Sequence, residues 1–276
     1  MLFKNKRCLI RSFLGFAFLG FFFCSPAWSA DIKIGGTGNA LGTMRLLAAA
    51  YQEITPDTNI VILPSIGSSG AVKAVPHGKI DIGLSSRLLK GEEADSGAIA
   101  VEYARSPTVL AVSNNQDDDA ITIDQLVDIY SGKLTKWPNG LLIRPVIRQA
   151  DDDNTRQLKQ LSPALEKAIN IAENRSGILF ASTDQQTVDK IERTPGSLGV
   201  TTLALILSEK RSIHAMKLNG IEPTPEACIS GSYPMIKHFY FILPKEISGD
   251  ATAFLDFVKS PAGKSILEKN GNYPVQ

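Results

Sequence analysis

Residues 59–90, NIVILPSIGSSGAVKAVPHGKIDIGLSSRLLK, restrict the fold more than any other stretch of the chain. The apolar run at 60–63 reads as a buried strand, Gly67-Ser68-Ser69-Gly70 as a turn into a short helix, and 81–84 as a second buried strand before Ser85-Ser86-Arg87. Two such strands joined by a helix pair in parallel, and an open parallel sheet places its ligand at the carboxyl ends of its strands. Both serine-rich turns lie at that edge. The first also precedes a helix, whose free N–H groups and positive dipole end hold an oxyanion without a metal. An anion site is therefore the first functional expectation.

The segment before it, DIKIGGTGNALGTMRLLAAAYQEITPDTN, repeats the pattern of strand, Gly-rich turn and helix. Leu47, Ala50, Tyr51 and Ile54 fall on one helical face, Pro56-Asp57 ends the helix, and the turn Thr37-Gly38-Asn39 lies at a strand's carboxyl end. Further on, 98–113 is a long β-rich run, with 109–112 read as the strand leaving the first domain and 114–120 as the surface segment entering the second. An amphipathic helix then starts near Thr122 or Asp124, 141–149 reads as a buried strand, and ADDDNTRQ as a polar turn. Helices at 161–173 and 183–193 alternate with strands at 178–181 and 198–201. The chain returns through 213–218 and 233–244 and closes with a helix over 250–270. This alternation predicts an α/β protein.

The first 29 residues carry Lys4, Lys6, Arg7 and Arg11, an apolar run at 13–23 and then SPAWSA, the pattern of a secretory leader cleaved after Ser29. The chain is expected to be exported. Cys24 follows three phenylalanines, which argues against a lipid-modified cysteine. The whole chain has 29 Lys+Arg against 28 Asp+Glu, and the leader holds four of the bases and no acid, so the processed chain has 25 against 28, a net −3. Such a balance supplies no basic field for nucleic acid and no polybasic membrane anchor. Cys8 and Cys24 leave with the leader, so the remaining Cys228 has no internal disulfide partner and the exported chain depends on its core.

Enzyme motifs are approached and missed. Gly36-Thr37-Gly38-Asn39-Ala40-Leu41-Gly42 has one residue too many for a dinucleotide fingerprint, and Gly263-Lys264-Ser265 lacks the first P-loop glycine because Val258 stands there. Gly67-Ser68-Ser69-Gly70-Ala71 lacks the closing glycine of a nucleophile elbow, and His77, His214 and His238 lie far apart with neither triad nor zinc spacing. No catalytic residue, metal or cofactor is expected. Asp151-Asp152-Asp153 fits a solvated turn and helix cap, or else places one carboxylate in a pocket to accept from a protonated oxyanion or an amine. Arg87 and Arg148 each follow a buried strand at its ligand-binding end.

Six segments carry a family resemblance: IGSSGAVKAV, GKIDIGLSSRLL, LVDIYSGKLTKW, the turn after LLIRPVIR, TPGSLGV and SPAGKSILEKNGNYPV. In this order the chain resembles the phosphate-type extracytoplasmic solute-binding proteins of ABC transporters, within the type II periplasmic binding-protein superfamily. The resemblance implies two α/β lobes, each a mixed sheet flanked by helices, joined by two crossover strands. Lobe 1 would comprise 30–113 plus 232–276, and lobe 2 would comprise 114–231. It further implies a periplasmic monomer that holds a small anion, phosphate, in its cleft and delivers it to an ABC permease in the inner membrane. Another oxyanion of the tungstate kind, a small organic acid, or a receptor role on the same fold are the alternatives. The implied ligand contacts are Thr37, Gly38 and Asn39, Ser68 and Ser69, Ser86 with Arg87, and Arg148 with Asp153, Asn154 and Thr155. This chain departs from the family pattern at Ser86, where an aspartate is frequent, at Gln149 in place of a second arginine, and at Asp153-Asn154 in place of Ser-Gly. Three aspartates facing one dianion would repel it. At least two are therefore expected to face solvent or cap the next helix, and at most one, Asp153 or Asp151, to line the cleft.

Overall fold

The computed structural model describes residues 31–275, and the predicted leader lies outside them. The chain begins β1 (Ile32–Gly36), α1 (Gly38–Ile54), β2 (Ile60–Ile62), α2 (Gly67–Ala74), β3 (Ile82–Ser85), α3 (Gly91–Ala94) and β4 (Ile99–Ser113). It continues with β5 (Ala120–Ile121), α4 (Ile123–Ser131), β6 (Arg144–Ile147), α5 (Asp153–Gln160), α6 (Pro163–Glu173), β7 (Leu179–Phe180) and α7 (Asp184–Arg193). Then come β8 (Ser197–Thr202), α8 (Leu203–Ser208), β9 (Ile213–Ala215), β10 (Lys217–Leu218) and α9 (Pro225–Ile229). The return is β11 (Ile236–Leu243), α10 (Gly249–Lys259), α11 (Pro261–Lys269) and β12 (Tyr273–Pro274).

The strands read at 60–63 and 81–84 do run parallel, but they do not pair with each other as expected: β1 lies between them, paired with β2 on one side and β3 on the other. The order β2-β1-β3-β11-β4-β8-β6-β7 runs through two α/β lobes, with β4 passing from one into the other. In the first lobe α1 packs Met44 and Leu47 against Ile34, Ile82 and Leu84, while Phe239, Phe241 and Phe254 close the same core. Tyr103 stacks on Phe241 with ring centroids 4.0 Å apart. The second lobe buries Leu110, Leu126, Tyr130, Leu165 and Leu198 with Tyr233 and Met235. A fully buried side chain of this kind contributes about 1.5–3 kcal/mol, enough for each lobe to hold without a disulfide.

Three further expectations need correction. The run 109–112 is not the last strand of the first domain. Residues 108–112 pair antiparallel with β8 in the second lobe, whereas 99–107 pair with β11 in the first. The switch falls between Pro107, opposite Ile236, and Thr108, whose N–H donates to the Met235 carbonyl. Pro107 has no N–H to continue its ladder, and it is a natural place for a strand to change partners. The closing helix is two helices, because Pro261 cannot extend the first and Ser260 caps the second through the Gly263 N–H. The polar run 150–157 is a turn only as far as Asp152, which caps α5 through the Asn154 N–H at 3.0 Å.

Candidate functional site

The cleft is built from strand ends. At the end of β1 Gly36 has φ +155°, and its backbone approaches so closely that an added Cβ would lie 1.9 Å from the Leu84 carbonyl oxygen. This contact lets the Thr37 N–H donate to the same oxygen at 2.9 Å and starts α1 at Gly38, with no side-chain cap. Helix α2 likewise begins after Ile66, which offers no capping oxygen, so the N–H groups of Gly67, Ser68 and Ser69 open toward the cleft without intrahelical acceptors. Ser68 Oγ accepts the Ser86 N–H at 2.9 Å and lies 3.1 Å from Ser86 Oγ, tying the two serine turns together.

Arg87 donates to Ser69 Oγ at 3.1 Å and makes a two-pronged pair with Glu93 at 2.6 and 2.8 Å. The Arg87 hydrogen bonds outweigh desolvation and, with the Lys90 N–H, bring the Glu93 carboxyl down to about 2. A carboxyl lowered on folding contributes stability above its unfolded value and loses it as pH falls through the folded one. Acid unfolding monitored by circular dichroism should therefore include a loss between about pH 4.5 and pH 2. Glu93→Gln should start less stable at neutral pH and lack that component; an unchanged profile would remove Glu93 from the acid response.

The second lobe presents Arg148 from the end of β6. Its guanidinium sits between Asp152 at 2.6 Å and Asp184 at 3.1 Å, with its side chain only 9% exposed and that of Asp184 7%. Asp184 opens α7 and reaches across the lobes to accept the Asn39 N–H of α1 at 3.2 Å, and within its own lobe it accepts Asn154 Nδ2 at 3.3 Å. Burial pushes its carboxyl up, against the lowering charge of Arg148, and the neighbouring Asp152 adds to the rise. Beside it Gln185 Nε2 donates to the Gly38 carbonyl at 3.0 Å. Asp153, the first residue of α5, is bound by Lys237 of β11, by Arg156 at 3.1 Å and by Gln157 at 2.8 Å.

These side chains surround a cavity of about 370 Å³. Of the residues expected from the sequence, Thr37, Asn39, Ser68, Ser69, Ser86, Arg87, Arg148 and Asp153 line it. Gly38, Asn154 and Thr155 do not. Gly38 packs under α7, where an added Cβ would come within 2.4 Å of Gln185 Oε1. Asn154 and Thr155 lie behind Arg148, turned inward by the first turn of α5 toward Leu158. The expectation of at most one lining aspartate is also corrected, since Asp151, Asp152 and Asp153 all border the cavity. Asp151 is exposed and Asp152 caps α5, the duties expected of two of the three, yet both also border the cavity because the turn before α5 runs along its wall beside Asp153. Sequence reasoning missed Lys237, Asp184, Lys90 and Arg156. Arg87, Lys90, Arg148, Arg156 and Lys237 face Asp151, Asp152, Asp153 and Asp184, and Glu93 balances Arg87 from behind. The cleft is thus close to neutral; among the described residues Lys90 is its one lining cation without a carboxylate in salt-bridge distance, and the remaining unclaimed donors are dipoles.

Two α/β lobes joined through β4 and the segment entering β11, with a polar cleft at their strand ends, define a solute-binding protein of the periplasmic type. The chain belongs to the PBP superfamily domain family, whose model matches residues 25–262. It is similar to the phosphate-binding protein PstS of Bacillus subtilis (strain 168), 26% identical over 254 residues that cover 90% of this chain and 81% of the relative. The PstS of Borreliella burgdorferi is 22% identical over 247 residues, 87% of this chain and 88% of that one. Among solved structures, an ABC transporter substrate-binding protein from Clostridium perfringens with bound phosphate superposes with a TM-score of 0.71 at 25% identity, over 90% of this chain and all 100% of that one. A phosphate transport receptor from Vibrio cholerae shares the fold with a TM-score of 0.60 at 20% identity, over 88% of this chain and 99% of that one.

Proposed function

We propose that this chain is exported, captures a small oxyanion, phosphate, in the cleft and delivers it to an ABC permease in the inner membrane. The observation that carries the reading is the pair of serine turns at the carboxyl ends of β2 and β3, with the uncapped start of α2 opening into a cavity between the lobes. The relatives named above, which are phosphate-binding proteins, support phosphate over other oxyanions. Ser68 and Ser69 supply N–H and O–H donors, Thr37 and Ser86 supply hydroxyls, and Arg148 supplies a guanidinium already steadied by two carboxylates. Such fixed dipoles replace the hydration shell of an anion without requiring net positive charge. Closure would pivot where both connections change lobes, at Pro107-Thr108 and Met235-Ile236. The first lobe would then be 30–107 plus 236–276, and the second 108–235.

Calorimetric titration of the phosphate-free processed protein should give binding heat and a raised unfolding temperature. Silence in both at millimolar phosphate would sink phosphate as ligand, and native mass spectrometry of the freshly isolated protein would then name the copurified solute. Ser68→Ala should weaken phosphate binding by about ten- to a hundred-fold, because it removes a hydrogen bond to a charged ligand and frees the Ser86 N–H it accepts. Unaltered affinity would move the site away from α2.

A further inference from the structure

β11 alternates between the faces of its sheet, and Lys237 shares the inward face with Phe239 and Phe241. It is 1% exposed, yet it borders the cleft and pairs there with Asp153. An ammonium removed from water to that degree is strongly disfavoured unless an anion answers it. The answering group arrives from the other lobe, on the first residue of α5, at the position where the family resemblance implies a ligand contact. Burial acts to raise the Asp153 carboxyl, but the charge and hydrogen bond of Lys237, with Gln157 and Arg156, outweigh it and hold the carboxyl below its ordinary value. Asp153 is therefore ionised at neutral pH. The other deeply set cation, Arg148, keeps two carboxylates of its own. Lys237 has Asp153 alone as its carboxylate partner among the described residues.

We propose that Lys237 is an anion-binding residue of this cleft and that Asp153 competes with the ligand for its ammonium, so that this pair sets the affinity of the site. The inference rests on the anion-binding reading above. A carboxylate a few ångströms from an incoming oxyanion repels it, and one already seated on the ammonium must also be displaced or share it. Removing the carboxylate charge does both things at once: it lifts the repulsion and releases Lys237 to the ligand. Asp153→Asn keeps the shape and the start of α5, whereas Lys237→Met keeps the buried stem without the charge.

Titrate wild type, Asp153→Asn, Lys237→Met and the double variant with inorganic phosphate at fixed ionic strength and neutral pH, with thermal melts to verify folding. Asp153→Asn should bind about tenfold or more tightly than wild type, and Lys237→Met about tenfold or more weakly. The double variant should lose the gain, because the released ammonium is its source. If Asp153→Asn fails to fold, Lys237→Met decides, and wild-type affinity in it overturns the proposal. A wild type that binds and an Asp153→Asn that binds no better overturns the inference while leaving the proposed function intact. Phosphate binding by Asp153→Asn but not by wild type upholds the inference and removes phosphate as the natural ligand. Silence in every variant overturns both.

Discussion

Replacing Arg148 by methionine is expected to destabilise the protein by about 3–5 kcal/mol, the cost of leaving a buried carboxylate without its partner. For a chain of this size that corresponds to a thermal midpoint lowered by about 6–20 °C. The cost arises at Asp184, whose side chain is 7% exposed and whose only cationic contact within salt-bridge distance among the described residues is Arg148 at 3.1 Å. Asp152 loses its partner in the same substitution but is nearer solvent and still caps α5. With the guanidinium gone, burial at Asp184 loses its largest opposition, leaving only the Lys237 charge and the Asn39 N–H against it, and the carboxyl rises further. A carboxyl raised on folding favours the native state below its unfolded value, and this advantage disappears as pH rises through the folded one. The deficit of Arg148→Met should therefore be smallest in acid and grow toward neutral pH. Adding Asp184→Asn should return most of the lost stability, since neither buried charge is then unanswered. Urea unfolding at several pH values tests all three statements; a deficit that is constant with pH, or a double variant no better than the single one, would count against an essential Arg148–Asp184 pair.

The same pair shows which parts of the site could be read from the sequence. The serine turns were legible because everything that defines them is local: apolar β-branched runs, glycines at the turns, and two strands one short helix apart. Ser68 and Ser86, 18 residues apart, touch as that unit requires. Asp184 and Lys237 were not legible, since their partners across the cleft, Asn39 and Asp153, are 145 and 84 residues away in sequence. Behind Thr183, Asp184 looks like any acidic residue in a helix's first turn, and it is one, with a second duty. Lys237 did carry a signal. It interrupts the inward-facing positions of an apolar strand, where a lysine is tolerated only with an anion opposite. The lobe boundary was hidden for a different reason. Residues 109–112 form an unbroken apolar run buried on both faces, and only Pro107 marks the change of partner.

Gly36→Ala is expected to cost on the order of 3–5 kcal/mol and to abolish ligand binding even where the variant remains folded. Two independent effects add at this position. The backbone at φ +155° lies in a region that side-chain-bearing residues rarely adopt, and the new methyl would sit 1.9 Å from the Leu84 oxygen and 2.7 Å from the Leu84 nitrogen. Those are main-chain atoms of β3, paired with Gly36 in the parallel ladder, so no rotamer change relieves the contact. Relief must come from separating β1 and β3, and the Thr37 N–H to Leu84 bond would be the first to go. Thr37 and Asn39 would then shift at one wall of the cleft while Ser86, two residues beyond Leu84, shifts at another. Because both walls move, a low-temperature titration of the folded variant should show no phosphate binding, in contrast to Ser68→Ala, which should retain a weakened affinity. A Gly36→Ala protein with wild-type melting and wild-type affinity would mean that the two strands part without cost, against the close packing of Ile34, Ile82 and Leu84 beneath them.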